Sequence, residues 1–213
     1  MFITDRDLLA AEPMLFRDVL WTGQRLYKGS ASTSGGVLTA AEGGLVAAGV
    51  QGGHVVVLDG GSYEVLERTD DTHLVVSRLR SENTDAAIPP PDASDRPAWI
   101  VTFAPQIAII HRQILRMLDL EQGTAPVGPG LLPESAITNP RDLAPMEVFG
   151  SLYLILSAAA ATAGPQSPLG IRAAFYRALF SQERGHALAR LDRDGDGLAD
   201  ETRRLNVGFL RRA

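Results

Sequence analysis

His54-Val-Val-Val-Leu-Asp-Gly-Gly-Ser-Tyr-Glu-Val-Leu-Glu-Arg68 decides how the chain is read. Two runs rich in β-branched and aromatic residues flank Asp59-Gly60-Gly61, the turn chemistry of a β-hairpin. Asp70-Asp71 then turns the chain into His73-Leu-Val-Val-Ser-Arg-Leu79, a third strand. Gly36-Val-Leu-Thr-Ala40 predicts an earlier strand and Trp99-Ile-Val-Thr-Phe103 a closing one. Short strands at this spacing predict a small barrel or a curled sheet. Between them, residues 81–98 read as a surface loop stiffened by Pro89-Pro90-Pro91.

Helical patterns lie on both sides of this β-rich stretch. The first 28 residues read as two short helices, or one kinked at Pro13. Thr4 is the N-cap, and Asp5 and Asp7 sit in the first turn, where the helix dipole favours negative charge. After the β-rich stretch, Pro105 opens a helix with Ile107, Ile110, Ile114 and Met117 on one face. Residues 121–140, with their glycines and prolines, read as a loop. The next helix, through Met146-Glu-Val-Phe-Gly-Ser-Leu-Tyr-Leu-Ile-Leu-Ser157, is apolar on every side. A bilayer span needs about 20 apolar residues. Glu147 at one end and Gly164-Pro165 at the other argue instead for a helix buried in a bundle or a subunit interface. Ser167-Pro168 caps a last helix over 168–190, with arginines on its solvated side.

The predicted fold class is therefore α+β: a helical body, an inserted small β-barrel-like module and an extended C-terminal tail. The boundaries are 1–28 for N-terminal helices of the body, 29–103 for the β-insert, 104–191 for the main helices, and 192–213 for an acidic loop and arm.

Composition narrows the functional classes. The chain has 213 residues and a formal net charge of −5. It is therefore no general polyanion binder. It has no cysteine, which excludes disulfides, thiolate zinc sites and cysteine nucleophiles. Lys28 is the only lysine; the arginine excess is read as codon bias. The N-terminal sequence lacks a basic region followed by an apolar run, so no secretory signal is expected. His54, His73, His111 and His186 are scattered and form no metal-spaced pair, and no nucleophile elbow or phosphate-binding glycine loop is present.

The sharpest local motif is Asp192-Arg-Asp-Gly-Asp-Gly-Leu-Ala-Asp-Glu201. Calcium wants six to eight oxygens, and Asp192, Asp194, Asp196 and Asp200 stand at positions one, three, five and nine of a calcium loop. Position twelve is Arg203, not the bidentate glutamate. The loop reads either as a structural calcium site or as an Asp/Gly turn that ends the helix. The tail that follows mixes Arg203, Arg204, Arg211 and Arg212 with Leu205, Val207, Phe209 and Leu210. It reads either as a strand packed at home or as an arm that binds a protein partner.

This layout resembles the head–tail adaptor (connector) proteins of tailed bacteriophages and related gene transfer agents. The residues that carry the resemblance are the opening helix Ile3-Thr-Asp-Arg-Asp-Leu-Leu9, the run from Gly52 through Val65, Asp71-Thr-His-Leu-Val-Val-Ser-Arg-Leu79, the return to helices, and the acidic loop with its basic tail. The resemblance implies a non-enzymatic virion protein at the head–tail interface, assembled in the bacterial cytoplasm. It implies a ring, typically of twelve subunits, seated on the portal protein and holding a downstream stopper or tail protein. Genome DNA would pass through without sequence-specific binding, and no membrane would be involved. The C-terminal segment would reach the portal. A stopper or tail-completion protein of the same neck, or a calcium-binding interaction module, are the alternatives.

Overall fold

The computed structural model describes residues 1–124 and 132–205. The fold is α+β and includes a closed six-stranded barrel. The chain divides into two compact units, Thr4–Ala104 and Met1–Ile3 with Pro105–Ala213.

The first unit is the barrel and the helices on it. Helices α1 (Asp5–Ala11) and α2 (Leu15–Asp18) come first. The Asp7 carboxylate accepts the Thr4 N–H at 2.8 Å, one half of a capping box. Six strands follow: β1 (Arg25–Ser34), β2 (Val37–Ala40), β3 (Val55–Leu58), β4 (Gly61–Arg68), β5 (His73–Ser77) and β6 (Ala93–Val101). They close in the order β1-β2-β5-β4-β3-β6, with β1 pairing β6 antiparallel. The β3–β4 hairpin turns on Asp59 and Gly60, both at positive φ (48° and 78°), which suits the twist of the flanking strands.

The barrel interior is apolar, built from Ala31, Leu38, Val56, Leu58, Val65, Leu74, Val76 and Ile100 among others. Strand β3 is buried along its whole length. Val56 and Leu58 face the barrel core, while α1 and α2 pack on β3. That explains the unbroken apolar run Val55–Leu58, which a strand with one wet face would not carry. It also moves residues 4–24. The sequence assigned them to the helical body, but they belong with the barrel, whose apolar outer surface they cover.

Two further expectations need correction here. Residues 25–28 are strand, not helix, because Tyr27 must enter the barrel core. The stretch 93–98, read as loop, is the first half of β6. It pairs with β1 although most of it is exposed and polar, and Pro97 sits opposite Ser30.

The second unit holds α3 (Ala104–Met117), α4 (Pro140–Ala160) and α5 (Pro168–His186). Short strands β7 (Leu120–Glu121) and β8 (Leu132–Pro133) pair in parallel, and β9 (Leu188–Leu191) pairs antiparallel with β10 (Glu201–Arg204). Helix α5 therefore ends at His186, and the expected helical stretch to 190 is partly strand. Gly150 marks where the three helices meet. A Cβ there would lie 2.8 Å from Ile110 of α3 and 3.0 Å from the Phe180 ring of α5. Asn139 ties the start of α4 to β9: it accepts the Arg190 N–H at 2.7 Å and donates to the Leu188 carbonyl at 2.9 Å. Among the described residues, α4 is the one helix long and apolar enough to cross a membrane, and half of that window is buried.

Candidate functional site

The acidic loop 192–200 connects β9 to β10. It is the turn of a hairpin rather than the end of a helix or the middle of a helix–loop–helix. Its aspartates close the loop on itself. Asp192 accepts the Gly195 N–H at 2.7 Å and the Gly197 N–H at 2.8 Å, which holds its carboxyl below the usual range. Asp194 accepts from Asp196 N at 3.2 Å, Asp196 from Leu198 N at 2.7 Å, and Asp200 from Arg193 N at 2.8 Å.

Asp192, Asp194 and Asp200 each bring one oxygen within 4.8 Å of the others; Asp196 is not part of that group. The residues at hand meet a calcium site only halfway. Three carboxylates converge, but Arg203 holds the place of the bidentate glutamate. Its guanidinium is committed elsewhere, to Glu201 at 2.7 Å and to the Leu118 and Asp119 carbonyls that follow α3.

The same contacts bear on the tail. Arg203 is tied at home, and Leu205 is buried in the core of its own unit. Arg204 is exposed. Through Leu205 the segment is thus a packed strand and its exit. Val207, Phe209, Leu210, Arg211 and Arg212 lie outside the described residues.

The four histidines, alike in sequence, stand in four different settings. His73 opens β5, half-buried, with Asp70 of the preceding turn 2.9 Å away. His54 accepts the Gln51 N–H at 3.1 Å, and burial lowers its pKa. His186 is exposed at the end of α5. His111 is fully buried between two carboxylates: Glu147 at 2.8 Å on Nδ1 and Glu134 at 3.0 Å on Nε2. These are close charge contacts rather than aligned hydrogen bonds. Burial pushes the imidazole pKa down, but the two glutamates outweigh it and hold it above the ordinary value. The Phe2 N–H donates to the other Glu147 oxygen at 2.7 Å, and the Phe2 ring meets His111 edge-on at 4.7 Å. The cluster is enclosed and structural in character.

A second buried charge cluster lies in the barrel unit. Glu64, 1% exposed, receives Arg6 Nε at 2.8 Å and Arg80 Nε at 2.6 Å. Arg6 also donates to Asp7 and to the Arg80 and Ser81 carbonyls, and Arg80 to the Asn83 and Asp85 carbonyls. A polar cleft of about 410 Å³ opens beside this cluster. The two guanidiniums are already engaged by protein acceptors, which leaves little there to hold an anion.

Helix α5 carries an exposed apolar pair. Ile171 and Phe175, one turn apart, are 59% and 58% exposed, with Ala174 and Ala178 on the same side. Next to this face, a groove of about 370 Å³ runs between α4 and α5, lined by Tyr153, Ala160, Ala173, Ala174 and Arg177 among others. No known protein family, no curated protein and no solved structure matches the chain.

Proposed function

We propose that the chain is a structural subunit of the neck of a tailed bacteriophage. It is a head–tail adaptor that assembles as a ring on the portal protein and presents the next neck or tail protein around the DNA channel. In this reading α3, α4 and α5 are the helical body, the barrel is the inserted β-module, and neither performs catalysis. The observation that carries it is the unpartnered apolar face of α5, Ile171 and Phe175 above all. A ring subunit must offer such a face to its neighbour. The layout of helices, barrel, acidic loop and basic tail supports the same reading. So does the net charge of −5, which suits a channel that DNA crosses without sticking. Arg204 and the segment carrying Val207, Phe209, Leu210, Arg211 and Arg212 are the part proposed to reach the portal.

Negative-stain electron microscopy of the full chain is the test, repeated after deletion of residues 206–213. Rings with an open centre are expected in both cases, with binding to a portal ring lost on deletion. Isolated single subunits at every concentration would overturn the reading.

A calcium-binding module is the second reading, favoured only by the convergence of Asp192, Asp194 and Asp200. A monomer whose melting temperature rises with added calcium would select it. A ring indifferent to calcium would select the adaptor.

A further inference from the structure

Leu198 sits in the acidic loop between β9 and β10 and is 69% exposed, more than any other large apolar side chain among the described residues. The loop that carries it is held in shape by its own carboxylates, each accepting a backbone N–H. An apolar tip on a self-bonded loop is poorly placed for water and well placed for insertion. The same loop carries Asp194, Asp196 and Asp200, all exposed.

The α4–α5 groove is the counterpart of this tip. Its lining is mostly apolar and small, from Ala160, Ala173 and Ala174 with Tyr153, and Arg177 is the cation among its lining residues. Arg184 lies seven residues further on the same side of α5, also exposed. An exposed leucine in an aspartate-rich loop complements, in polarity and in charge, an apolar slot whose helix carries exposed arginines.

We propose that copies of this chain associate head to tail, with Leu198 of one copy seated in the α4–α5 groove of the next and its aspartates facing Arg177 and Arg184. The tip and the groove are different surfaces. The contact is therefore heterologous, the kind that repeats around a ring or along a filament and does not stop at a two-fold dimer. The inference rests on the ring reading for its biological setting, and it names which surfaces of the subunit meet.

The absence of cysteine makes the test clean, since introduced thiols are the only ones present. Leu198→Cys and Ala174→Cys variants are mixed and oxidised. A disulfide between the two variants is expected, with little within either alone, and a ladder of linked species from the double variant. Leu198→Asp is expected to weaken self-association at least about tenfold, as loss of a central apolar anchor does. Its circular dichroism should be unchanged, because the residue is exposed. Arg177→Glu should weaken association too.

Rings that persist in Leu198→Asp, with no 198–174 disulfide, would overturn the contact and leave the ring reading standing. A 198–174 ladder on open filaments would uphold the contact and overturn the ring. A wild-type chain that stays monomeric would overturn both.

Discussion

The two units of the molecule each bury a charged cluster, and they do so with opposite chemistries. In the barrel unit one carboxylate, Glu64, is held by the guanidiniums of Arg6 and Arg80. In the helical unit one imidazole, His111, is held by the carboxylates of Glu147 and Glu134, with the Met1 ammonium 3.4 Å from Glu134. Guanidinium stays charged at any pH a protein meets, whereas imidazolium does not. The barrel is thus pinned by a cluster whose cations keep their charge. The helical unit is pinned by one that discharges as pH rises through the raised value of its imidazole.

The largest expected effect breaks the barrel cluster. Glu64→Leu strands two arginines with low exposure and should cost about 3–5 kcal/mol. The loss should be the same at pH 6 and pH 9. Both tryptophans, Trp21 and Trp99, lie in the barrel unit, so intrinsic fluorescence during urea unfolding reads it directly.

The titratable cluster comes next. His111→Ala leaves Glu147 buried without its cation and should cost about 2–4 kcal/mol at pH 6. His111 has a folded pKa above its ordinary 6.5. Its stabilisation is therefore complete below about pH 6.5 and is lost as pH rises through the folded value. Helical circular dichroism should melt earlier at pH 9 than at pH 6.5 in the wild type. His111→Gln should flatten that difference; an unchanged slope would assign it to other groups.

Gly150→Ala tests packing without charge. The added methyl meets Ile110 and Phe180 and should cost about 1–3 kcal/mol, with no pH dependence.

The last prediction sharpens the contrast from the acid side. Asp5 is buried in the barrel unit, where its carboxylate accepts the Phe103 N–H at 2.8 Å. Burial raises its pKa from 3.8 to about 6. The fold thus holds that proton longer than the unfolded chain does, and stability falls as pH rises from about 4 to 6. Asp5→Asn should remove that slope, about 3 kcal/mol for a rise of about two units, as read by tryptophan fluorescence.

The sequence showed some of this and concealed the rest, for identifiable reasons. The β3–β4 hairpin was legible because Val55–Leu58, Asp59-Gly60 and Tyr63–Val65 carry strong local signals. Strand β1 was not, because Gly29–Ser34 are small residues whose alternation is nearly silent in hydrophobicity. The first half of β6 was hidden by its polar composition, and β9 by a leucine spacing that continues the pattern of α5. The acidic loop was recognised as a turn or a calcium loop, but its hairpin setting depends on pairing that only the fold supplies. The charge clusters escaped because their partners are far apart in sequence, as with Arg6 and Glu64. One signal was available. Glu147 is the one charged residue of α4 beyond its first turn, and His111 shares the face of Ile107, Ile110 and Ile114. A buried charge in each helix asks for a partner.

The central claim is that this subunit builds a closed assembly of its own copies. Its most direct test is solution mass by light scattering across a concentration series. The account predicts a discrete species at a fixed multiple of 22.8 kDa, twelve-fold for the ring the resemblance implies. A mass of 22.8 kDa at every concentration would contradict it.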